Sequence, residues 1–233
     1  MRLALGAVDE ALDIAKMGPQ GGKMRALVLC DDFWHPARLP RQGLAALKDG
    51  GFEFDWIENT REWSPDGMAA YPLVILTKSN NVSSADQTGW MTDAAQTAFA
   101  DYLRKGNGLF AIHSGAAGYD QMPVLRGLLG GTFTHHPEQC PVTVEPRVGH
   151  SLSAGSHPFT LNDEHYFMTL DDPHADVFVT TRSVHGDQPG AWTRLEGAGR
   201  VAVLTPGHNV EVWLHPSFQA LLLNALRWCG KAP

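Results

Sequence analysis

Four short runs of apolar residues constrain what this chain can fold into more than any other feature of its sequence. The runs occupy residues 25–30, 72–77, 108–113 and 200–205, and each is apolar almost without interruption. Continuous apolar runs of this length are typical of strands that are buried on both faces, as they are in parallel sheets. We therefore predict that these four segments are neighbouring parallel strands of one sheet.

Helical patterns lie between the apolar runs and favour an α/β fold. Apolar residues recur in them at helical spacing, and glycines follow them in the manner of a helix C-cap. Strands that alternate with helices imply βαβ crossovers and a mainly parallel sheet that is covered on both faces. The predicted helices are residues 37–49, 93–105, 122–129 and 217–229, and the further predicted strands are residues 52–57, 141–148 and 175–181.

Neither an internal repeat nor a linker divides the chain, so we expect one domain over residues 24–233. Residues 1–23 contain a short amphipathic pattern that the residues MGPQGG interrupt, and we interpret this segment as an N-terminal extension. Its apolar run is broken by Asp9 and Glu10, which argues against a secretory signal peptide.

The composition excludes several classes of protein. Apolar residues make up 43% of the 233 residues and charged residues 18%, which is globular and not disordered. A net charge of −7 argues against a broad nucleic-acid binder. No apolar run approaches the roughly 18 residues of a membrane-spanning helix. The 3 cysteines form no CxxC motif, which excludes a disulfide scaffold and favours a cytoplasmic location.

Histidines mark three of the predicted strand ends. His113 ends one run, and His35 and His208 follow two others closely. Ligands of open parallel sheets bind beyond the C-terminal ends of the strands, so these imidazoles predict a site. Residues 135–138 (HHPE) and 162–166 (NDEHY) add further imidazoles and carboxylates. Such groups suit Zn, Mn or Fe and also acid–base catalysis. No HExxH motif is present, so purely structural histidines stay open as the alternative.

Residues 111–115 (AIHSG) have the pattern of a nucleophile elbow between a strand and a helix. The apex of such a turn faces the pocket, and here the apex is His113. We therefore predict that the His113 ring faces a cavity and that Ser114 faces away from it, which excludes covalent catalysis through Ser114. The glycines form no GxGxxG or P-loop motif, so we expect no nucleotide cofactor.

Five segments, taken in order, resemble ThuA-like proteins, the trehalose utilisation family. They are GNGLFAIHSG (106–115), LLGGTFTHHP (128–137), NDEHYF (162–167), AWTRLEGAGRVAVLTPGH (191–208) and FQALLLNALRW (218–228). The resemblance implies a flavodoxin-like three-layer α/β/α sandwich with a mainly parallel sheet, related to class I glutamine amidotransferases. His113 then stands where those enzymes have a cysteine, and Val210 where they have a glutamate. Glutamine amidotransferase activity is therefore excluded on chemical grounds.

The resemblance also implies a function. It indicates sugar catabolism, particularly of keto forms of trehalose and related disaccharides that a partner sugar dehydrogenase produces. We therefore expect an enzyme that acts on a keto-sugar by proton transfer, as an isomerase or a lyase, with or without a divalent metal (Zn, Mn or Fe). A non-catalytic carbohydrate- or partner-binding domain is the alternative. Self-association into a homo-oligomer is also left open.

Roles for individual residues follow from the match to the family's motifs, from the chemistry of enolisation and, for the tryptophans, from their places in or beside loops. Glu164 is the expected base, and His113 and His208 complete the catalytic set. The expected metal ligands are His35, His113, His136 and His208, and the expected substrate-binding residues are Trp34, Tyr166 and Trp192. For the tryptophans, stacking on a sugar ring and simple packing both remain open. We predict that His35, His113, His136, Glu164 and His208 converge on one rim of the sheet.

Overall fold

A computed structural model describes residues 22–47 and 50–232 of the protein. Its helices are α1 (Arg38–Ala45), α2 (Pro65–Ala69), α3 (Asp93–Arg104), α4 (Pro123–Leu129), α5 (Val210–Leu214) and α6 (Pro216–Gly230). Its strands are β1 (Met24–Leu29), β2 (Phe52–Ile57), β3 (Leu73–Leu76), β4 (Gly108–Ile112), β5 (Gly131–His135), β6 (Cys140–Pro146), β7 (Phe159–Asp163), β8 (Phe167–Leu170), β9 (Asp176–Ser183), β10 (Gly186–Glu196) and β11 (Gly199–Leu204). The amphipathic pattern predicted near the N-terminus lies outside the described residues. None of the helices described is long and apolar enough to cross a membrane.

Five parallel strands form one half of the main sheet. The strand order is β2-β1-β3-β4-β11-β10-β9-β6-β7, and the first five strands run parallel. In the register, Leu73 lies opposite Ala26 on one side and opposite Gly108 on the other. Gly108 is in turn paired with Arg200. The prediction of four neighbouring parallel strands is confirmed.

The other half of the sheet is antiparallel, and the sequence analysis did not predict it as such. Strands β10, β9, β6 and β7 continue the sheet in antiparallel pairs, and β5 pairs with β8 in a separate ribbon. Strand β10 escaped prediction because Pro189 and Gly190 are typical of turns. The structure places them at irregularities in the β9–β10 pairing. The fold is mixed α/β, with a large parallel region, and is compatible with a flavodoxin-like fold.

Each parallel strand buries side chains on both faces of the sheet. In β1, Ala26 and Val28 belong to one apolar cluster, whereas Leu27 and Leu29 belong to a second. Helices α1, α5 and α6 contribute to the first cluster, and α2, α3 and α4 to the second. Full burial of a leucine or valine side chain stabilises a fold by about 1.5–3 kcal/mol. The two clusters therefore make the parallel half a firm support for the loops at its rim.

Candidate functional site

Four histidines surround the carboxylate of Glu164 at the C-terminal rim of the parallel strands. Its Oε2 lies 3.4 Å from His113 Nε2 and 4.0 Å from His35 Nε2. Its Oε1 lies 3.1 Å from His208 Nδ1 and 3.5 Å from His136 Nε2. The predicted convergence of these five residues is confirmed, whereas their catalytic and metal-binding roles stay predictions.

A buried aspartate orients His35 in the loop that follows β1. Asp32 Oδ1 accepts hydrogen bonds from His35 Nδ1 and from the backbone N–H groups of Trp34 and His35, at 2.8–2.9 Å. Asp32 Oδ2 accepts the N–H of Ser79 at 2.8 Å. Burial opposes the charged form of His35, but the carboxylates of Asp32 and Glu164 together outweigh burial and raise the pKa of His35 to about 9. His35 Nε2 is left facing Glu164.

His113 occupies a strained position where β4 ends. Its φ of 49° lies in the left-handed region that non-glycine residues rarely adopt. A side chain on Gly115 would collide with the carbonyl oxygen of Leu76, so this turn requires a glycine there. Ser114 faces away from the cluster, because its Oγ donates a hydrogen bond to the carbonyl of Thr77 at 2.9 Å. The geometry is that of the predicted elbow, with His113 at the apex.

The His113 ring is buried and does not itself line an open cavity. It is 2% exposed and stacks on Tyr166, with the ring centroids 4.1 Å apart. Its Nδ1 donates a hydrogen bond to the Thr205 carbonyl at 2.7 Å, so Nε2 faces Glu164. Burial lowers the pKa of His113. The expectation of a ring that faces a cavity is corrected, since Tyr166 and Glu164 line the open space in its place.

Asp163 holds the loop that carries His208. Its buried carboxylate accepts the backbone N–H groups of Gly207, His208 and Asn209, at 2.8, 2.9 and 3.2 Å. Burial raises the pKa of Asp163, although these three hydrogen bonds act against the rise. The residue that follows Asp163 is Glu164. One carboxylate of the adjacent pair therefore anchors the loop after β11, while the other enters the histidine cluster.

Three buried nitrogens of the cluster have no hydrogen-bond partner within residues 22–47 and 50–232: His35 Nε2, His113 Nε2 and His208 Nδ1. Leaving such atoms unpaired is costly, and an ion is one of the ways in which they can be satisfied. Together with a carboxylate oxygen of Glu164 they form a group whose donor atoms lie within 4.8 Å of one another. Three imidazoles and one carboxylate suit Zn, Mn or Fe. The residues present therefore fit a divalent metal.

The second nitrogen of two of these imidazoles is held as it is in metal-binding histidines. His35 Nδ1 donates to a carboxylate, that of Asp32, and His113 Nδ1 donates to a backbone carbonyl, that of Thr205. Such partners fix the ring orientation and make the opposite nitrogen the ligand. This arrangement is an observation independent of the unpaired atoms, and it favours the same interpretation.

His136 lies at the edge of the cluster and outside the group that fits a metal. Its side chain is 36% exposed, and its Nδ1 donates a hydrogen bond to the carbonyl of Pro137 at 2.7 Å. In the neutral imidazole this hydrogen bond leaves the lone pair on Nε2, which lies beside Glu164. Burial acts to raise the pKa of the Glu164 carboxyl, but the imidazoles of His113, His208 and His35 hold it well below its usual range. The geometry thus favours Glu164 as a ligand in place of His136.

A cavity of about 660 Å³ opens over the cluster. This volume lies in the usual range for small-molecule sites. The side chains of His35, His136, Glu164, Tyr166 and His208 line it, together with Trp34, Phe133, residues 79–81, Gly89 and residues 117–118. Trp34 is 66% exposed at this cavity, so its indole face is available to a ligand.

Trp192 does not reach the cavity. Its side chain in β10 is completely buried, and its Nε1 donates a hydrogen bond to the carbonyl of Leu129 at 2.8 Å. It belongs to the second apolar cluster of the sheet. The expected role of Trp192 in substrate binding is therefore corrected to a packing role.

Lys78, which the sequence analysis did not single out, ties together the loops of the rim. It is fully buried at the end of β3, and its Nζ donates hydrogen bonds to the carbonyls of Asp31, Glu58 and Val82, at 3.1, 3.0 and 2.9 Å. Burial lowers the pKa of Lys78 to about 8. A lysine directly after an apolar run was the only sequence signal of this role.

The two supporting aspartates were also missed, although both stand next to residues that the sequence analysis named. Asp32 precedes His35 by three residues in a strand-end loop, and Asp163 directly precedes Glu164. A carboxylate at either position could be recognised as a candidate partner for a metal-binding imidazole or its loop. The sequence does not predict which backbone N–H groups donate hydrogen bonds to this carboxylate, because that depends on tertiary contacts.

Comparisons with known proteins agree with the fold. The family model described as ThuA, trehalose utilisation, matches residues 25–229. The structure is similar to a ThuA-like protein from Parabacteroides merdae, with 16% sequence identity and a TM-score of 0.69 over 89% of this chain and 90% of that one. It is similar to a ThuA-like protein from Bacteroides uniformis, with 21% sequence identity and a TM-score of 0.69 over 91% of this chain and 94% of that one. It is also similar to 32% of a β-galactosidase from Rahnella (16%, 0.65, 91% of this chain). At these identities the likeness shows the fold alone. A search of curated proteins gives no significant match.

Proposed function

The chain belongs to the ThuA, trehalose utilisation, family, and from this premise we propose that it is a sugar-catabolic enzyme that isomerises or cleaves a keto-sugar by proton transfer. The observation that carries the proposal is the cluster of histidines around Glu164 beneath a cavity. We also propose that the mixed sheet and its helices form the flavodoxin-like three-layer sandwich that the family resemblance implies.

A divalent metal would be held by His35, His113, Glu164 and His208, whose donor atoms form one group. When bound there, it would supply Lewis acidity that polarises a substrate carbonyl. Asp32 and the Thr205 carbonyl would keep the imidazoles of His35 and His113 in the binding orientation. This assignment changes the expected role of Glu164 from base to ligand, because its two oxygens already face the nitrogens of the group.

His136 is then the residue that moves the proton. Its Nδ1–H is held by the Pro137 carbonyl, so Nε2 is the acceptor, and the side chain lines the cavity. In an isomerisation, His136 Nε2 takes the proton from the hydroxyl-bearing carbon beside the ketone and returns it to the former carbonyl carbon. The hydroxyl proton passes to the former carbonyl oxygen. All atoms are conserved, and the ketone moves by one carbon without an external reactant.

Trp34 and Tyr166 are proposed to bind the sugar. The exposed indole of Trp34 offers an aromatic face of the kind on which sugar rings stack. The Tyr166 ring packs between His113 and Phe133, with centroid distances of 4.1 and 4.3 Å, so it is held in place beside the cluster. Burial raises the pKa of Tyr166 well above its ordinary value, so its hydroxyl keeps its proton and can donate it in a hydrogen bond.

The substrate carbonyl points to a preceding reaction. A keto-sugar is formed when a hydroxyl of a sugar is oxidised, so we propose that a sugar dehydrogenase acts before this protein. We expect no nucleotide cofactor in this chain itself, since the proton transfer described above is redox-neutral. Assembly into a homo-oligomer stays a proposal that only a measurement of mass in solution can test.

Metal content is the first test. Protein prepared without chelator and without a nickel-binding tag should contain about one equivalent of a transition metal by elemental analysis. Glu164→Gln, which keeps the size of the side chain, should lose this metal while thermal unfolding shows that the chain still folds. Absence of metal in the wild type, even after reconstitution with Zn, Mn or Fe, would contradict the metal-assisted form of the proposal.

Proton exchange tests the reaction itself. Keto-trehalose incubated with the enzyme in D₂O should gain deuterium at the carbon beside the ketone, as followed by NMR. His136→Gln should slow this exchange by about 10²–10⁴-fold. The matched control is His135→Gln, because His135 is the adjacent histidine and stacks on Phe167 outside the cavity. Sugar-induced stabilisation without exchange or product would instead support the non-catalytic binding domain.

A further inference from the structure

Asn80 lies in the loop after β3 and lines the same cavity as Glu164. Its Oδ1 accepts the backbone N–H groups of Trp90 and Met91, both at 2.9 Å. An amide NH₂ group could not accept these hydrogen bonds, so they establish which end of the side chain is the oxygen. The loop, and not a ligand, therefore sets the orientation of Asn80.

The other end of this amide is unpaired. Asn80 Nδ2 has no acceptor among residues 22–47 and 50–232, although it carries two donor hydrogens. Gly89 lies beside it in the cavity lining, and a Cβ on Gly89 would come within 3.3 Å of Nδ2. The neighbouring Asn81 differs, because its Nδ2 donates to the carbonyls of Asn80 and Gln87. Asn80 thus presents oriented donors where a glycine leaves room for a ligand atom.

The charge of the lining limits the class of ligand. Among the described residues, no lysine or arginine lines this cavity, whereas the carboxylate of Glu164 does. The imidazoles of His35, His136 and His208 also line the cavity, but they already face Glu164, so a phosphate group would enter next to that carboxylate without the lysine or arginine that usually pairs with it. The lining therefore suits an uncharged ligand whose oxygens accept hydrogen bonds.

We propose that Asn80 is a specificity-determining residue that donates a hydrogen bond from Nδ2 to an oxygen of an unphosphorylated sugar. This inference rests on the proposed function, since it concerns the same cavity. A site that orients a donor in advance discriminates strongly against ligands that leave the donor unpaired. Asn80 contacts the part of the sugar that does not react, and it acts on binding.

Two variants test the inference without disturbing the loop. Asn80→Asp keeps the oxygen that accepts the N–H groups of Trp90 and Met91 but removes the donor. Gly89→Ala keeps the Asn80 residue and places a methyl carbon 3.3 Å from its Nδ2, in tight contact with the donor. The control for charge is Asn59→Asp, because Asn59 Oδ1 also accepts a backbone N–H, that of Arg61, outside the cavity. The control for the added methyl group is Gly127→Ala, since a Cβ there meets nothing within 4 Å.

Binding of trehalose, which has no ketone and cannot react, is measured by calorimetry or NMR. Asn80→Asp and Gly89→Ala should each weaken trehalose binding about tenfold or more, whereas the two control variants should bind trehalose as the wild type does. Trehalose 6-phosphate should bind to the wild type more weakly than trehalose. Wild-type affinity in either test variant, no trehalose binding by the wild type, or tighter binding of the phosphate overturns the inference. Deuterium exchange into keto-trehalose is a separate readout, so the inference can fail while the proposed function stands.

Discussion

The two halves of the sheet contribute to the candidate site in different ways. The parallel half supplies three imidazoles from loops that directly follow β1, β4 and β11, those of His35, His113 and His208. The antiparallel half and its ribbon supply the other groups from the short connections that follow β5 and β7, those of His136, Glu164 and Tyr166. Parallel strands end on one edge of a sheet, so topology alone brings the first set together.

The second set needs specific tertiary contacts to reach the same place. Asp163 provides one of them, because it extends from the end of β7 and binds the backbone of the loop after β11. The loops of the parallel half thus hold three imidazole nitrogens in place, and the antiparallel half places a carboxylate among them. Four predictions test this division.

The largest effect is expected at Lys78, in the parallel half of the sheet. Lys78→Met would keep most of the side-chain volume but leave the carbonyls of Asp31, Glu58 and Val82 without their donor. Each unsatisfied buried group costs about 1–3 kcal/mol, so we expect a loss of about 3 kcal/mol in the free energy of unfolding at pH 7. Urea denaturation measures it, with the exposed Lys105→Met as control. A variant as stable as the wild type would show that Lys78 does not hold the rim.

The same pair of proteins should differ in pH dependence. Burial lowers the pKa of Lys78 from 10.5 to about 8, so between these values the unfolded chain binds a proton that the folded protein does not. Stability that depends on Lys78 therefore rises with pH over this interval. The stability gap between wild type and Lys78→Met should widen by about 2 kcal/mol from pH 7 to pH 9.5. A gap that stays constant would mean that the three carbonyls keep the amine protonated.

A smaller effect is expected at the two supporting aspartates, one from each half. Asp32→Asn should weaken metal binding by about 10–100-fold, because His35 loses its charged partner. Asp163→Asn should do so to a similar extent through the backbone of residues 207–209. Competition with a chromogenic chelator measures both. Asp31→Asn is the control, since among the described residues the Asp31 carboxylate accepts only the N–H groups of Ala37 and Ser84, outside the cluster. Equal losses in all three variants would contradict the specific support of the ligands.

The parallel half could be predicted from sequence because each of its strands carries its own signal. The run at residues 108–113, for example, is apolar on both faces and is buried on both faces in the structure. Strand β10 shows why the rest could not be predicted. Its first residues include Pro189 and Gly190, and only pairing with β9 on one side and β11 on the other makes this segment a strand. Local patterns do not contain such long-range pairing.

The candidate site divides in the same way. His113 could be identified from the elbow pattern around it, and its left-handed φ agrees with that pattern. The proposed exchange of roles between His136 and Glu164 could not be predicted, since it depends on how side chains from separate elements meet. Nor could Trp192 be placed in the core, because a tryptophan in a turn-like segment is equally consistent with stacking on a ligand.

The smallest expected effect concerns the backbone strain at His113, which belongs to the parallel half of the sheet. His113→Ala and His113→Gly both remove the imidazole, so both should lose the metal site. They differ in backbone preference, because a left-handed conformation costs a non-glycine residue about 1–2 kcal/mol. Glycine gives back about 0.4–1 kcal/mol of this through the greater entropy of its unfolded chain. We therefore expect His113→Gly to be more stable than His113→Ala by about 1 kcal/mol in urea denaturation.

The same exchange in the adjoining strand should have the opposite sign. Ala111 is fully buried in β4, so Ala111→Gly relieves no left-handed strain and loses a buried methyl group. The change from alanine to glycine can thus be compared at the two positions. If it lowers the free energy of unfolding at position 113 as much as it does at position 111, then position 113 is not strained. The parallel half would in that case not hold His113 in a backbone conformation that a non-glycine residue disfavours. A stability gain at position 113 alone would show that the parallel half stabilises this turn before any metal or sugar binds.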